Sequence, residues 1–347
     1  MPVSINYSFN FGVILLVIYV CLLATGFFCT FFYNNLLSVS FSNLIYSQVN
    51  IFFFFLLRVF HNTFANLFFA FMFFHIFKSF FYSSSQVIVT MILGIVIFVV
   101  ACAIAFFGYC LPMGQMSFWA AVVIFSLLSV LPFGTLIIYY LFGSFSISAR
   151  TLSLLFFLHF FFPFILFVLI FSHLYNLHSS LSSSTGFNDF YDLVFFNPLF
   201  ILIDSFIVIL FFLFFFIIVF FYSFFFFEHA NFCQFNTMAT PLHIYPDWFL
   251  LFPYACLRSV DSKLFGVFLL IIIMIGLFAS GLFSAAFKTN SIYSIYNIVV
   301  IFTFVLIMFS GSFPSVYPFS ILIIGLQFFI YIFFLFYFFA FYVFSLF

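Results

Sequence analysis

The segment RVFHNTFANLFFAFMFFHIFK, residues 58–78, sets His61 and His75 14 residues apart within one apolar run. The segment HFFFPFILFVLIFSH repeats this interval, because it begins at His159 and ends at His173. In an α-helix, 14 residues return to within about 40° of the starting direction and advance about 21 Å. Each segment therefore presents two imidazoles in one direction, at two levels along a helix.

The composition places the chain in a membrane. Of its 347 residues, 69% are hydrophobic and 3% are charged, and the net charge is zero. A soluble domain is charged at about a quarter of its positions, and a nucleic-acid partner needs a basic patch that six lysines and arginines cannot build. About 20 apolar residues cross the hydrocarbon core as one helix. We therefore predict an all-α polytopic membrane protein with eight transmembrane helices, near residues 10–33, 52–77, 88–109, 151–175, 198–225, 263–284, 293–311 and 318–344.

The histidines lie on the second and fourth predicted spans, which run in the same direction through the bilayer. His61 is then level with His159, and we name these two the first histidine pair; His75 and His173 form the second pair. Ionisable side chains inside a membrane are costly and usually functional. Two stacked pairs would hold two planar metal cofactors, and two haems are the obvious candidates. Two axial imidazoles leave iron no open position, which favours one-electron transfer.

Four glycines repeat the same interval on the first and third predicted spans, which run opposite to the histidine spans. Gly12 and Gly26 are 14 residues apart, as are Gly94 and Gly108. We expect Gly26 and Gly108 at the level of the first histidine pair, and Gly12 and Gly94 at the level of the second. Because glycine has no Cβ, it lets the backbone approach a flat ring. The first four spans are thus predicted to form a bundle around two haems.

Two cations flank the histidines of the second span. Arg58 is three residues before His61, and Lys78 is three residues after His75. Each can reach a haem propionate, although snorkelling to the lipid headgroups is compatible with the same positions. A haem-free proton channel or transporter, with the histidines as a proton relay, is the alternative function. The equal intervals and the glycines argue against it, since a relay needs neither.

Beyond these residues, nearly the whole chain resembles cytochrome b, the central subunit of the quinol:cytochrome c reductase (respiratory complex III). The segment GYCLPMGQMSFW, residues 108–119, is similar to the family's GYVLPWGQMSFW. The segment TPLHIYPDWF, residues 240–249, is similar to TPxHIxPEWY, and YACLRS, residues 254–259, is similar to YAILRS. The resemblance continues from Pro314 to Phe319. The continuous chain and the interval of 14 favour the respiratory type over the chloroplast relative, which splits the chain and has one more residue between its histidines.

The resemblance implies two quinone sites and an orientation. The first histidine pair would bind the haem near the intermembrane-space face and the second pair the haem near the matrix face, with the N-terminus in the matrix. Quinol oxidation at the outer site would use Asp247 as proton acceptor, with Tyr254 and Tyr109 as further catalytic residues and with Met116, Ala120 and Pro246 in the wall of the pocket. Ubiquinone reduction at the inner site would use His178 and Asp204.

The chain departs from the family pattern at several positions. Asp247 replaces the usual Glu, which shortens the acidic side chain by one methylene, and Ala120 stands where the family commonly has Gly. The added methyl narrows the quinol pocket and predicts weak binding of strobilurin-type inhibitors. The remaining departures are Phe249 for Tyr, Met113 for Trp and Leu154 for Arg, the last of which Arg150 would compensate for.

The partners are expected on other subunits, because the six cysteines form no CxxC and no CxxCH for an iron-sulfur cluster or a covalent haem. By resemblance these partners are the Rieske iron-sulfur protein and cytochrome c₁, in a dimeric complex of the mitochondrial inner membrane. The 78 phenylalanines indicate a T-rich coding strand, and the start lacks an Arg-rich presequence, so we expect an organelle-encoded protein. We divide the chain into a dihaem domain, a quinol-site loop and a three-helix domain, residues 1–225, 226–262 and 263–347.

Overall fold

Long apolar helices dominate the computed structural model, which describes residues 5, 7–81, 88–180, 194–258 and 260–286 and the positions 302, 305 and 306. Five helices in this part of the chain are long and apolar enough to cross a membrane. They coincide with the first five predicted spans and confirm the all-helical membrane fold. These helices are α1 (Phe11–Thr30), α3 (Phe52–Phe81), α4 (Ile88–Cys110), α7 (Ala149–Ser180) and α8 (Leu199–Phe221).

The sixth predicted span corresponds to α10 (Lys263–Ala286), a helix of 24 residues. The seventh and eighth predicted spans, residues 293–311 and 318–344, lie outside the described residues except at positions 302, 305 and 306. The predicted number of eight spans is therefore matched by a helix wherever the structure describes the segment.

Four shorter helices connect the long ones. Two of them, α5 (Gln115–Leu128) and α6 (Gly134–Phe142), occupy the connection between α4 and α7. The third, α9 (Leu251–Arg258), precedes α10. The fourth, α2 (Ser40–Asn50), is absent from the sequence prediction because its 11 residues are too few and too polar for a span. It forms because Ser40, Leu44 and Ser47 recur at helical spacing and are all buried on one face.

Phenylalanine rings join the helices that carry the histidines. Phe64 of α3 stacks on Phe215 of α8, with ring centroids 4.0 Å apart and planes 4° from parallel. Further ring contacts join α3 to α4 and α4 to α7, through Phe73 with Phe98 and through Phe107 with Phe162. Aromatic pairs in these geometries contribute about 0.5–1.5 kcal/mol beyond the burial of their area, so they hold the neighbouring backbones at fixed distances.

Contacts divide the chain into two compact units that alternate along the sequence. One unit comprises Met1–Lys78, Val96–Ser172 and Ser184–Ile244, and the other comprises Ser79–Ile95, His173–Ser183 and Tyr245–Phe347. Within the second unit α9 lies close against α10, since a Cβ at Gly266 would be 2.8 Å from the Leu257 carbonyl oxygen. The division into three consecutive domains stays a prediction.

Candidate functional site

The first histidine pair comes together between α3 and α7. The ring centroids of His61 and His159 are 6.1 Å apart, and the ring planes are at 83° to each other. A metal–imidazole bond is about 2 Å long, so two imidazoles that bind one ion from opposite sides have centres roughly 6 Å apart. The measured separation therefore fits two axial ligands of one haem iron.

The two rings of this pair are oriented by hydrogen bonds at Nδ1. The Nδ1 of His159 is 2.9 Å from the Ile104 carbonyl oxygen, which can only accept, so Nδ1 carries the proton. The Nδ1 of His61 is 3.0 Å from the Thr25 hydroxyl, and that hydroxyl donates to the Cys21 carbonyl oxygen at 2.8 Å. The hydroxyl oxygen is thus left to accept from Nδ1 of His61. In both rings Nε2 keeps its lone pair, which is the form that binds a metal.

The glycines of the first level lie directly against these rings. A Cβ at Gly26 would be 3.0 Å from Cε1 of His61, and a Cβ at Gly108 would be 2.4 Å from Cε1 of His159. Both contacts are closer than real side chains tolerate without a shift of one partner. The structure therefore places each glycine at its predicted level, and the ring that needs the space is the imidazole itself.

The glycines of the second level show the same adjacency, each within its own compact unit. A Cβ at Gly12 would be 3.5 Å from Cε1 of His75, which is ordinary van der Waals contact. A Cβ at Gly94 would be 3.3 Å from Cε1 of His173. The second level thus has its glycine and histidine side by side on both pairs of helices, with more room than the first level has.

Both cations of α3 rest on phenylalanine rings. The guanidinium of Arg58 is 5.3 Å from the centroid of Phe227, and its Nη1 donates a hydrogen bond to Oε1 of Gln48. The ammonium of Lys78 is 3.3 Å from the centroid of Phe9. Both side chains are half-buried, so the structure holds them within the protein rather than extended toward solvent.

The family-like segment after α4 is fastened to the polar segment after α8. The side-chain oxygen of Gln115 accepts a hydrogen bond from the Asn236 backbone N–H at 2.7 Å, and its amide donates to the Ala239 carbonyl at 2.5 Å. The backbone N–H and the hydroxyl of Ser117 both donate to Oδ1 of Asn231 at 2.9 Å. Gln115 and Ser117 therefore act as a latch between two segments that are more than 100 residues apart.

Three residues proposed for the quinol pocket lie beside this latch. Tyr109 is half-buried near the end of α4. Met116 and Ala120 belong to α5 and are 2% and 8% exposed. They are packed inside the unit that also holds the first histidine pair, so a substrate in contact with them would be shielded from bulk water.

The other three proposed residues of the quinol pocket belong to the second unit. Pro246 and Asp247 are half-buried, and the Asp247 carbonyl accepts a hydrogen bond from the Leu250 N–H at 2.9 Å at the start of a 3₁₀ turn. Tyr254 lies on α9, where its hydroxyl oxygen is 3.5 Å from Nη1 of Arg258. The guanidinium also lies over the Tyr254 ring at 5.8 Å, so Arg258 orients this phenol.

At the predicted inner site the structure adds a residue that sequence reasoning missed. The half-buried Asp204 of α8 accepts a hydrogen bond from the amide of Asn10, and Asn10 is itself 7% exposed. Asn10 ends a 3₁₀ turn, two residues before Gly12. The only signal in the sequence is an amide in an otherwise apolar run. His178 is exposed in the last turn of α7, within the second unit.

Thr25 and Gln48 are two further residues that the sequence did not single out. Thr25 stands next to Gly26, and a hydroxyl beside a patterned glycine is a usable signal. Gln48 lies in α2, which was not predicted, so its contact with Arg58 could not be anticipated.

The sequence and the fold both match those of known proteins. The model of the family described as Cytochrome b/b6/petB matches residues 1–181, and that of Cytochrome b(C-terminal)/b6/petD matches residues 234–342. Cytochrome b of the hagfish Myxine glutinosa is 37% identical over 343 residues, covering 96% of this chain and 89% of the relative. The chain belongs to the cytochrome b family. A chain from a structure titled "Hyperthermophilic respiratory Complex III" has the same fold, with a TM-score of 0.88, 24% identity and coverage of 96% of this chain and 91% of that one.

Membership of the cytochrome b family confirms the predicted class of function. The protein is a haem-binding, multi-pass membrane protein and the cytochrome b subunit of a quinol:cytochrome c oxidoreductase. The haem-free channel or transporter that the sequence left as the alternative is thereby set aside. The geometry of the first histidine pair agrees with a haem-binding protein on physical grounds that are independent of the family match.

Proposed function

We propose that this cytochrome b binds two b-type haems, each between two histidines, and passes electrons through them from an outer quinol site to an inner quinone site. The observation that carries the proposal is the 6.1 Å separation of His61 and His159, with the Nδ1 of each ring already engaged. We assign His75 and His173 to the second haem because they repeat the interval of 14 residues and each lies beside its own glycine.

Each haem, when bound, supplies a one-electron carrier with no open position at iron. The chain's own residues hold it in place and keep water away. Thr25 and the Ile104 carbonyl keep the imidazoles of His61 and His159 in the ligand form. Arg58 and Lys78, one helical turn outside the histidines of α3, are assigned to the propionates. The phenylalanine contacts between α3, α4, α7 and α8 exclude water from the space between the levels.

The test of this function is a haem count. A dithionite-reduced minus oxidised spectrum of the purified complex, with a pyridine haemochrome assay, is expected to give two low-spin b-type haems per chain. One haem, or none, would contradict the proposal. Quinol:cytochrome c turnover in the same preparation is expected to stop when either histidine pair is removed.

At the outer site, oxidation of quinol to quinone releases two electrons and two protons. We assign Asp247 as a proton acceptor, Tyr254 and Tyr109 as further catalytic residues, and Met116, Ala120 and Pro246 as pocket walls. Arg258, which orients the Tyr254 phenol, keeps that hydroxyl in a defined position. At the inner site, we assign His178 and Asp204 as the residues that bind ubiquinone while it gains two electrons and two protons.

Asp247→Asn is expected to slow quinol oxidation about 100-fold, because an amide cannot accept the proton that a carboxylate takes in general base catalysis. Steady-state quinol:cytochrome c turnover measures the change. Both haem spectra are expected to be unaltered, since Asp247 is not a haem ligand in this assignment. Asp261→Asn, which replaces an exposed carboxylate of the same unit, is the matched control and is expected to retain normal turnover. Normal turnover in Asp247→Asn would remove this residue from its role.

Ala120→Gly is expected to strengthen inhibition by strobilurin-type compounds by about tenfold or more. The Ala120 side chain is almost fully buried, so removing its methyl opens space inside the protein, and an excess methyl in a packed site costs about 1–3 kcal/mol. Inhibition curves of quinol oxidation for the two proteins measure the effect. Tight inhibition of the natural chain at ordinary concentrations would contradict this assignment of Ala120.

We further assign the protein to the mitochondrial inner membrane, with the N-terminus on the matrix side and its gene in the organelle. Its partners are the Rieske iron-sulfur protein, which receives one electron of each quinol, and cytochrome c₁, in a dimeric complex. The cysteines of this chain support that assignment, because their spacing offers neither cluster ligands nor a covalent haem attachment. Co-purification of haem c with this chain tests the partnership.

A further inference from the structure

The guanidinium of Arg58 is held from two sides by neutral groups. Nη1 donates to Oε1 of Gln48 near the end of α2, and the Phe227 ring lies 5.3 Å from the guanidinium carbon. Within the part of the chain that the structure describes, Arg58 has no carboxylate partner. A guanidinium has five N–H donors, and one amide oxygen satisfies one of them. The half-buried cation therefore keeps donors for an anion.

The ring beneath the guanidinium is itself fixed. The amide of Asn62, one turn further along α3, donates to the Phe226 carbonyl oxygen at 3.0 Å. Phe227 also contacts Phe232, with ring centroids 5.9 Å apart. These contacts attach the segment after α8 to the same stretch of α3 that carries Arg58. Phe227 is thus a stationary support for the cation and not a loosely placed side chain.

We propose that Gln48 and Phe227 are positioning residues that aim Arg58 at a carboxylate of the first haem and so raise its reduction potential. This inference rests on the proposed function, in which His61, three residues after Arg58, binds that haem. A fixed positive charge near the iron disfavours the ferric state more than the ferrous state, because the ferric state carries one more positive charge. Neutral groups suit this purpose, since they orient the guanidinium without cancelling its charge.

Redox titration of both haems in the purified complex tests the proposal. Gln48→Ala and Phe227→Leu are each expected to lower the equilibrium constant for reduction of the first haem about threefold, roughly 30 mV for one electron. The second haem is expected to be unchanged. Gln48→Glu keeps an acceptor for Arg58 but adds a negative charge, so it is expected to lower the constant further than Gln48→Ala does.

The matched control is Asn50→Ala in the same helix, where the amide bonds only to the backbone of Tyr46 at 2.8 Å. It is expected to leave both potentials unchanged. Potentials of Gln48→Ala and Phe227→Leu that equal those of Asn50→Ala, with both haems present, would overturn the inference and leave the proposed function standing. An equal potential in Gln48→Glu would also overturn it, and that variant does not depend on creating a gap. Absence of the first haem from the unaltered complex would instead refute the proposed function.

Discussion

His159→Leu is expected to leave the complex with one b-type haem per chain instead of two and to abolish quinol:cytochrome c turnover. The variant removes one of the two imidazoles that lie 6.1 Å apart, so His61 would bind iron alone. Leucine fills a similar volume between α4 and α7, and the fold is therefore expected to survive. The pyridine haemochrome count measures the loss directly, and the reduced spectrum identifies the haem that remains.

The control for this variant is His229→Leu, which replaces an exposed histidine in the short 3₁₀ turn after α8. Two haems per chain are expected in that protein. Retention of both haems in His159→Leu would show that the pair does not hold a haem. Loss of both haems would show that the second haem cannot bind without the first, in which case Gly94→Val, beside His173, would separate the two levels.

The features that could be predicted from the sequence are those fixed by local geometry. A helix in a membrane must satisfy its backbone hydrogen bonds internally, so an apolar run of sufficient length determines both the element and its direction. The interval between His61 and His75 then determines their relative levels, because the rise per residue is constant. The adjacency of Gly26 to His61 and of Gly108 to His159 follows from the same constancy.

The features that could not be predicted depend on contacts between distant segments. The hydrogen bond from Asn10 to Asp204 joins residues 194 positions apart, and the bond from Gln115 to Ala239 joins residues 124 positions apart. A single polar residue has no periodic neighbours that announce its partner. Likewise α2 was missed because its apolar positions are too few, and the support of Arg58 by Gln48 was missed with it.

The prediction about glycine was right in position and incomplete in cause. The sequence suggested that a Cβ would obstruct the flat porphyrin. The structure shows that a Cβ at each glycine would first meet an imidazole, and that the available space differs among the four positions. The two causes lead to different expectations for substitution. Porphyrin clearance predicts similar damage at every glycine, whereas imidazole contact predicts damage that follows the measured distances.

Gly108→Ala is therefore expected to lose most of the first haem, while Gly12→Ala is expected to retain both haems. The new Cβ at Gly108 would be 2.4 Å from Cε1 and 2.9 Å from Nδ1 of His159. That ring cannot retreat freely, because its Nδ1 is bonded to the Ile104 carbonyl. Overpacking costs about 1–3 kcal/mol, and a broken hydrogen bond adds about 0.5–1.5 kcal/mol.

The substitution Gly12→Ala serves as the matched control, because its Cβ would be 3.5 Å from Cε1 of His75 and needs no shift. Gly26→Ala, at 3.0 Å from His61, is expected to give an intermediate loss of the first haem. The haemochrome count and the reduced spectra of the three variants give the order of damage. Equal haem loss in Gly12→Ala and Gly108→Ala would show that the porphyrin, and not the imidazole, requires the glycines. A graded loss in the order Gly108, Gly26, Gly12 would show that these glycines act by letting each histidine stand where iron needs its Nε2.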